Sequence, residues 1–152
     1  MNDAPNKKIY FNSKYSHGID EKRRLQIPAK WRPEAEGVEF TVILWPKHQA
    51  GTCLRVLPPH KLEKLVAEIE AMPNSDPRKD VLRRVVGGNS EQVTLDKAGR
   101  ICLPEEMAAA AGLKSEARLV GMLEQFEIWD PVRYRQVETA DAVHQAQAFE
   151  MM

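Results

Sequence analysis

Asp20-Glu21-Lys22-Arg23-Arg24-Leu25-Gln26-Ile27-Pro28 is echoed by Asp96-Lys97-Ala98-Gly99-Arg100-Ile101-Cys102-Leu103-Pro104. Both stretches read Asp-x-x-x-Arg-apolar-x-apolar-Pro, with Ile19 or Leu95 in front. The aspartates, the arginines and the prolines each stand 76 positions apart, which is half of the 152-residue chain. Self-similarity at that period predicts a duplicated unit, and the duplication organises every other reading of the chain.

Each copy has the pattern of a charged turn between two strands. Tyr15, His17 and Ile19 alternate before the first turn, and Leu25 and Ile27 follow it; Val93 and Leu95, then Ile101 and Leu103, flank the second. Period-two alternation bounded by turn residues predicts a hairpin with one buried face. An aspartate at the turn's entry can accept hydrogen bonds from backbone N–H groups a few residues on, so Asp20 and Asp96 read as turn-builders that orient the arginines. Gly99 suits a position of positive φ. Arg24 and Arg100 then leave the sheet away from the core, beside Lys22, Arg23 and Lys97. One such turn would be an ordinary solvated ion pair; two related tips make an extended basic edge.

The pattern, its spacing and its duplication resemble the MraZ family of bacterial transcriptional regulators, built from two AbrB-like swapped-hairpin repeats. The resemblance rests on Phe11, Asp20 to Arg24, Leu25 to Arg32, Cys53-Leu54-Arg55-Val56-Leu57-Pro58, Asp96 to Pro104, Gly121 and Glu127-Ile128-Trp129, and spans about residues 9–135. It implies an α+β, mostly β fold: two intertwined β-β-α-β-β repeats forming a pseudo-twofold barrel with connecting helices. It also implies Arg24 and Arg100 at the same end of that barrel, a ring-like homo-oligomer, and binding to repeated promoter boxes in double-stranded DNA. The gene cluster so restrained would be that of division and cell-wall synthesis, including the regulator's own gene. On this reading Arg24 and Arg100 contact bases, while Lys22, Arg23 and Lys97 contact phosphates. Two departures stand out. Arg23 occupies the family's turn glycine, so this turn either has a different shape or carries a side chain at positive φ at a cost of order 1 kcal/mol. Phe11-Asn12-Ser13 also lacks the glycine the family places near Ser13.

The expected organisation is a disordered N-terminus over 1–8, repeat 1 over 9–58, linking helices over 59–88, repeat 2 over 89–135 and a helical tail over 136–152. In repeat 1 a short helix at Pro28–Arg32 is curtailed by Pro33. A strand over Val38–Leu44 is closed by Trp45-Pro46, a turn-rich loop runs from Lys47 to Thr52, and Cys53–Leu57 ends the repeat. Leu62, Leu65, Val66, Ile69 and Met72 make one helical stripe, and Val81, Leu82, Val85 and Val86 another after a cap at Ser75 or Asp76. Both stripes are expected to pack onto the sheets.

Composition is that of a soluble protein, with 43% apolar and 29% charged residues. No apolar run is long enough to span a bilayer and no secretory h-region follows the N-terminal charges, so a cytoplasmic, nucleoid-associated protein without membrane partners is expected. Cys53 and Cys102 sit in apolar strands and read as buried thiols; with His17, His48, His60 and His144 they share no metal-ligand spacing, and neither metal nor cofactor is expected. Net charge is zero, yet residues 1–32 carry eight basic against three acidic residues and residues 116–152 three basic against seven acidic. Segregated charge of this kind fits an electrostatic partner. No catalytic set is expected: Ser16 and His17 point to opposite faces of a strand, and Gly87-Gly88 reads as a helix stop rather than a phosphate loop. The alternative to a DNA-binding regulator is an antitoxin-like protein-interaction barrel.

Overall fold

The computed structural model describes residues 8–152, and the expectation of a disordered segment over 1–8 falls outside them except at Lys8. Lys8 makes an ion pair with Glu124 at 2.8 Å. The fold is mixed α/β, dominated by antiparallel pairing. In chain order it runs β1 (Lys14–Gly18), β2 (Arg24–Gln26), a 3-10 turn at Ala29–Trp31, β3 (Glu39–His48), β4 (Gly51–Leu57), α1 (Pro59–Glu70), α2 (Pro77–Gly88), β5 (Ser90–Thr94), β6 (Arg100–Cys102), α3 (Glu105–Ala110), β7 (Glu116–Gly121), β8 (Phe126–Trp129) and α4 (Pro131–Phe149).

Six strands form one sheet in the order β1-β7-β8-β4-β3-β5, and β2 pairs with β6 in a separate ribbon. Several neighbours in space are therefore not neighbours in sequence. β1 does not pair along its length with β2; it lies on β7, with Gly18 opposite Glu116. The matching strand of the second half, β5, lies on β3, with Thr94 opposite Glu39. Gly18 and Thr94 are again 76 positions apart. At the centre, β4 meets β8 with Leu54 opposite Ile128 and Val56 opposite Phe126. Each half of the chain thus completes the other's sheet.

The core lies between the six-stranded sheet and the β2–β6 ribbon. The strand period of two sends Leu25, Ile27, Ile101 and Leu103 inward, all at most 1% exposed. They meet Phe40, Val42, Leu54, Val56, Leu119 and Ile128 from the sheet, Met107 and Ala108 from α3, and Ala111 just past its end. Phe11, Trp31 and Phe126 pack together at its centre, Phe11 edge-on to Trp31 and the tilted Trp31 and Phe126 rings 4.8 Å apart. The Trp31 indole N–H is satisfied by the Asn12 carbonyl at 3.0 Å. A second cluster (Cys53, Val120, Trp129, Tyr134 and Val137) packs α4 on the sheet's other face. There Glu127, 6% exposed, accepts from Arg55 and from the Trp129 indole, both at 2.8 Å. That pairing meets the requirement that a buried charge be neutralised and hydrogen-bonded.

Several expectations need correction. Trp45-Pro46 does not close β3: the strand runs to His48, and Pro46, which cannot donate to a ladder, falls where the register shifts between Trp45 and His48. The loop from Lys47 to Thr52 is accordingly a tight connection, with His48 already opposite Gly51. Of the two cap candidates for α2, which need no correction, Asp76 is the one used, accepting from the Arg78 N–H at 2.9 Å. The α2 stripe does not pack on the sheet: Val81, Leu82 and Val85 are 38–49% exposed. Cys53 is buried but Cys102 is exposed, because it sits one residue out of phase with the buried Ile101 and Leu103. Beyond residue 135 the chain continues α4 without a break to Phe149.

Two glycines report on the packing in opposite senses. A Cβ at Gly121 would stand 2.3 Å from the Phe11 carbonyl oxygen, whereas a Cβ at Gly87 in α2 meets nothing within 4 Å. Gly121→Ala is expected to destabilise the fold by about 1–3 kcal/mol. Gly87→Ala is expected to stabilise it by about 0.5–1 kcal/mol. Urea unfolding of the two variants against the parent chain measures both signs.

Candidate nucleic-acid interface

The two turns are built by the same set of bonds. In the first, Asp20 Oδ1 accepts from the backbone N–H groups of Lys22 at 3.0 Å and Arg24 at 2.8 Å, and Oδ2 accepts from Arg24 Nε at 2.6 Å. In the second, Asp96 Oδ1 accepts from Ala98 and Arg100, both at 2.9 Å, and Oδ2 from Arg100 Nε at 3.0 Å. One carboxylate therefore closes the turn and aims the arginine. The hydrogen bonds to the negative oxygens, those from the backbone N–H of Arg24 and Arg100 foremost, hold both carboxyls below the ordinary 3.8. Each guanidinium spends its Nε this way, and its two terminal nitrogens have no bond among the described residues.

The turns are joined through the ribbon. Arg24 faces Cys102, Leu25 faces Ile101 and Gln26 faces Arg100. Leu25 and Ile101 point into the core, so Arg24, Gln26, Arg100 and Cys102 share the outward face. Arg24 and Arg100 occupy diagonal positions there, about 7–8 Å apart at Cα, with side chains 35% and 32% exposed. Lys22 and Lys97 are exposed on the turns themselves. Beyond the three pairs, the Gly99 carbonyl accepts from Ile27 N–H at 3.0 Å and the Arg23 carbonyl from Leu103 N–H at 2.9 Å. The residue at positive φ in each turn thus extends the ladder.

That conformation, φ +80° at Gly99 and +61° at Arg23, is the same in both copies. The arginine is accommodated by an exchange. At the second turn, Arg32 lies over Gly99, where a Cβ would come 2.4 Å from its guanidinium carbon, and Arg32 Nε donates to the Ile27 carbonyl at 2.8 Å. The residue 76 positions after Arg32 is Ala108, which has no guanidinium to offer. Arg23 supplies one from the turn itself, its Nε donating to the Leu103 carbonyl at 3.0 Å. Sequence reasoning did not single out Arg32, although its missing counterpart at Ala108 was a readable signal. Ser13, at φ +79°, likewise adopts a glycine-like conformation without glycine.

Among the described residues no group of three or more His, Cys, Asp and Glu could hold a metal ion, and no helix is long and apolar enough to cross a membrane.

Arg23→Gly removes the positive-φ strain, of order 1 kcal/mol, but also one hydrogen bond of about 1 kcal/mol. Thermal unfolding should therefore move little, whereas Arg23→Ala, which keeps the strain and loses the bond, should unfold measurably earlier. Because the Asp20 and Asp96 carboxyls are depressed, their contribution to stability is full above 3.8 and disappears as pH falls through their lower folded values. Carboxyl titration followed by NMR should find both below that value, and Arg24→Ala and Arg100→Ala should raise each partner's midpoint.

Residues 87–151 match the family described as "MraZ protein, putative antitoxin-like". Three curated relatives share the name transcriptional regulator MraZ. The protein of Thermomicrobium roseum is 35% identical over 121 residues, covering 80% of this chain and 82% of that one. Those of Burkholderia cenocepacia and Burkholderia vietnamiensis are each 37% identical over 122 residues, covering 80% of this chain and 83% of theirs. With that identity over most of both chains, the chain belongs to the MraZ family.

Proposed function

We propose that this protein is a sequence-specific, double-stranded DNA-binding transcriptional regulator and not an enzyme, and that the β2–β6 ribbon is its reading face. The observation that carries this is the pair of Asp–Arg turns, which place Arg24 and Arg100 on one outward face with their terminal nitrogens unspent. A two-stranded ribbon fits the major groove, where arginine donates to guanine O6 and N7. Lys22 and Lys97 flank the arginines and neutralise phosphates. Arg23, turned back to Leu103, acts there only through its terminal nitrogens.

The exchange of β1 onto β7 and of β5 onto β3 supports the finer architecture, two AbrB-like swapped-hairpin repeats closing a pseudo-twofold barrel, with repeats over 9–58 and 89–135. The exposed Val81, Leu82 and Val85 on α2 and Val143 and Phe149 on α4 support a ring-like homo-oligomer. Such a ring would engage repeated promoter boxes, each tip adding to the avidity of the others. In the cytoplasm, on the nucleoid, the protein represses a division and cell-wall gene cluster that includes its own gene. The family's antitoxin-like description favours a second reading, in which the barrel binds a protein partner instead.

Fluorescence anisotropy with duplexes from upstream of the protein's own gene separates the two. Arg24→Ala and Arg100→Ala should each cost about 1–3 kcal/mol of specific binding, and Lys22→Ala or Lys97→Ala should each lower the salt slope by about one. Specific binding left intact in the Arg24/Arg100 double variant, or absent from the parent chain, refutes the DNA-reading face and leaves the protein-binding barrel.

A further inference from the structure

The reading face is built on a pseudo-twofold axis through Leu25 and Ile101, and that symmetry carries residue 24 onto 100 and residue 26 onto 102. The first pair is conserved within the chain as arginine and arginine. The second is not: Gln26 stands where the other half has Cys102. Both residues do the same structural task. Gln26 Nε2 donates to the Ala98 carbonyl at 2.9 Å, and Cys102 Sγ donates to the Lys22 carbonyl at 3.4 Å. Ala98 and Lys22 are themselves symmetry-related. Each strand thus clasps the other repeat's turn, one with an amide and the other with a weaker thiol donor.

The two are unequal in what they leave for a ligand. Gln26 gives one N–H to Ala98 and retains its second N–H and its carbonyl oxygen, a donor and an acceptor that match an adenine edge. Cys102 has one hydrogen and gives it to Lys22, so what it presents outward is an apolar sulfur. Cross-strand register then sets the neighbours: Gln26 stands opposite Arg100, and Cys102 opposite Arg24.

We propose that Gln26 and Cys102 are the specificity-determining residues that make the two halves of the face unequal. The Arg100–Gln26 half reads two adjacent base pairs by hydrogen bonds, whereas the Arg24–Cys102 half reads one and meets its neighbour only through apolar contact. This rests on the ribbon being the DNA-reading face. It adds that the strongest discrimination outside the arginine-contacted bases comes from Gln26 and has no hydrogen-bonding counterpart across the axis.

The test starts from duplexes selected out of a random pool by the parent protein, followed by a single-base substitution scan of the winning sequence with Gln26→Ala, Cys102→Ala and Cys102→Gln. Gln26→Ala should flatten discrimination at one base pair by about fivefold or more, leaving other positions in the same rank order. Cys102→Ala should change no position by as much. Cys102→Gln should create new discrimination at the symmetry-related base pair, a gain that a merely structural clasp could not produce. Equal position-specific losses in Gln26→Ala and Cys102→Ala, or a uniform loss at all positions in both, would overturn the proposal. So would a Cys102→Gln scan identical to the parent's. If the parent selects no sequence at all, the DNA-reading face itself fails, which is a different result from a selected sequence on which residues 26 and 102 have no effect.

Discussion

Three residue pairs between β2 and β6 hold the rest of this structure in place. A three-residue strand has no independent stability, and among the described residues neither β2 nor β6 has another ladder beyond the small bridge from Ile19 to Leu25. They persist because Leu25 and Ile101 pin the crossing into the core, fully buried from both halves of the chain. Once those side chains are sequestered, strand alternation leaves no choice about their neighbours, and Arg24, Gln26, Arg100 and Cys102 must face outward. The spacing and common aspect of the two arginines are consequences of a hydrophobic contact on the far side of the ribbon.

The same crossing explains how a symmetric fold tolerates asymmetric chemistry. The backbone of the two turns agrees bond for bond, including the positive φ at position 23 and at position 99. Above that common frame, the guanidinium that satisfies the strand-end carbonyl comes from Arg32 at one end and from Arg23 at the other. The strain of a side chain at φ +61° is of the same order as the hydrogen bond gained, about 1 kcal/mol each. At the other turn Arg32 lies over Gly99, and a side chain there would have to displace that guanidinium.

What the sequence made legible was local. Asp-x-x-x-Arg with its flanking alternation specified two turns, their aspartate-to-arginine bonds and the buried faces of β2 and β6, because each depends on residues within five positions. Partner choice was another matter. Leading each turn with an alternating segment invites pairing across that turn, yet β1 lies on β7 and β5 on β3, which no local period encodes. The family resemblance implied only that the two repeats interleave, and the strand partners themselves were not legible. Errors arose where one local rule met a longer element. Pro46 stops an ideal strand but not one that shifts register. Cys102 follows the apolar character of its strand but points to its outer face. The α2 stripe is amphipathic as read, but Val81, Leu82 and Val85 remain 38–49% exposed.

A chain of zero net charge can still serve an anionic partner if its cations are placed rather than abundant. Here the placing is done by carboxylates. Asp20 and Asp96 partly neutralise the arginines they hold, which weakens unspecific attraction to phosphate. In return, two long side chains that would lose rotamer freedom on binding are already fixed at Nε. The exchange favours discrimination over raw affinity: a pre-aimed guanidinium gains most from a base edge that matches its fork and little from a phosphate met at random. On that argument one ribbon is expected to bind DNA weakly but selectively, and the proposed ring would restore binding strength by summing several such faces along one duplex.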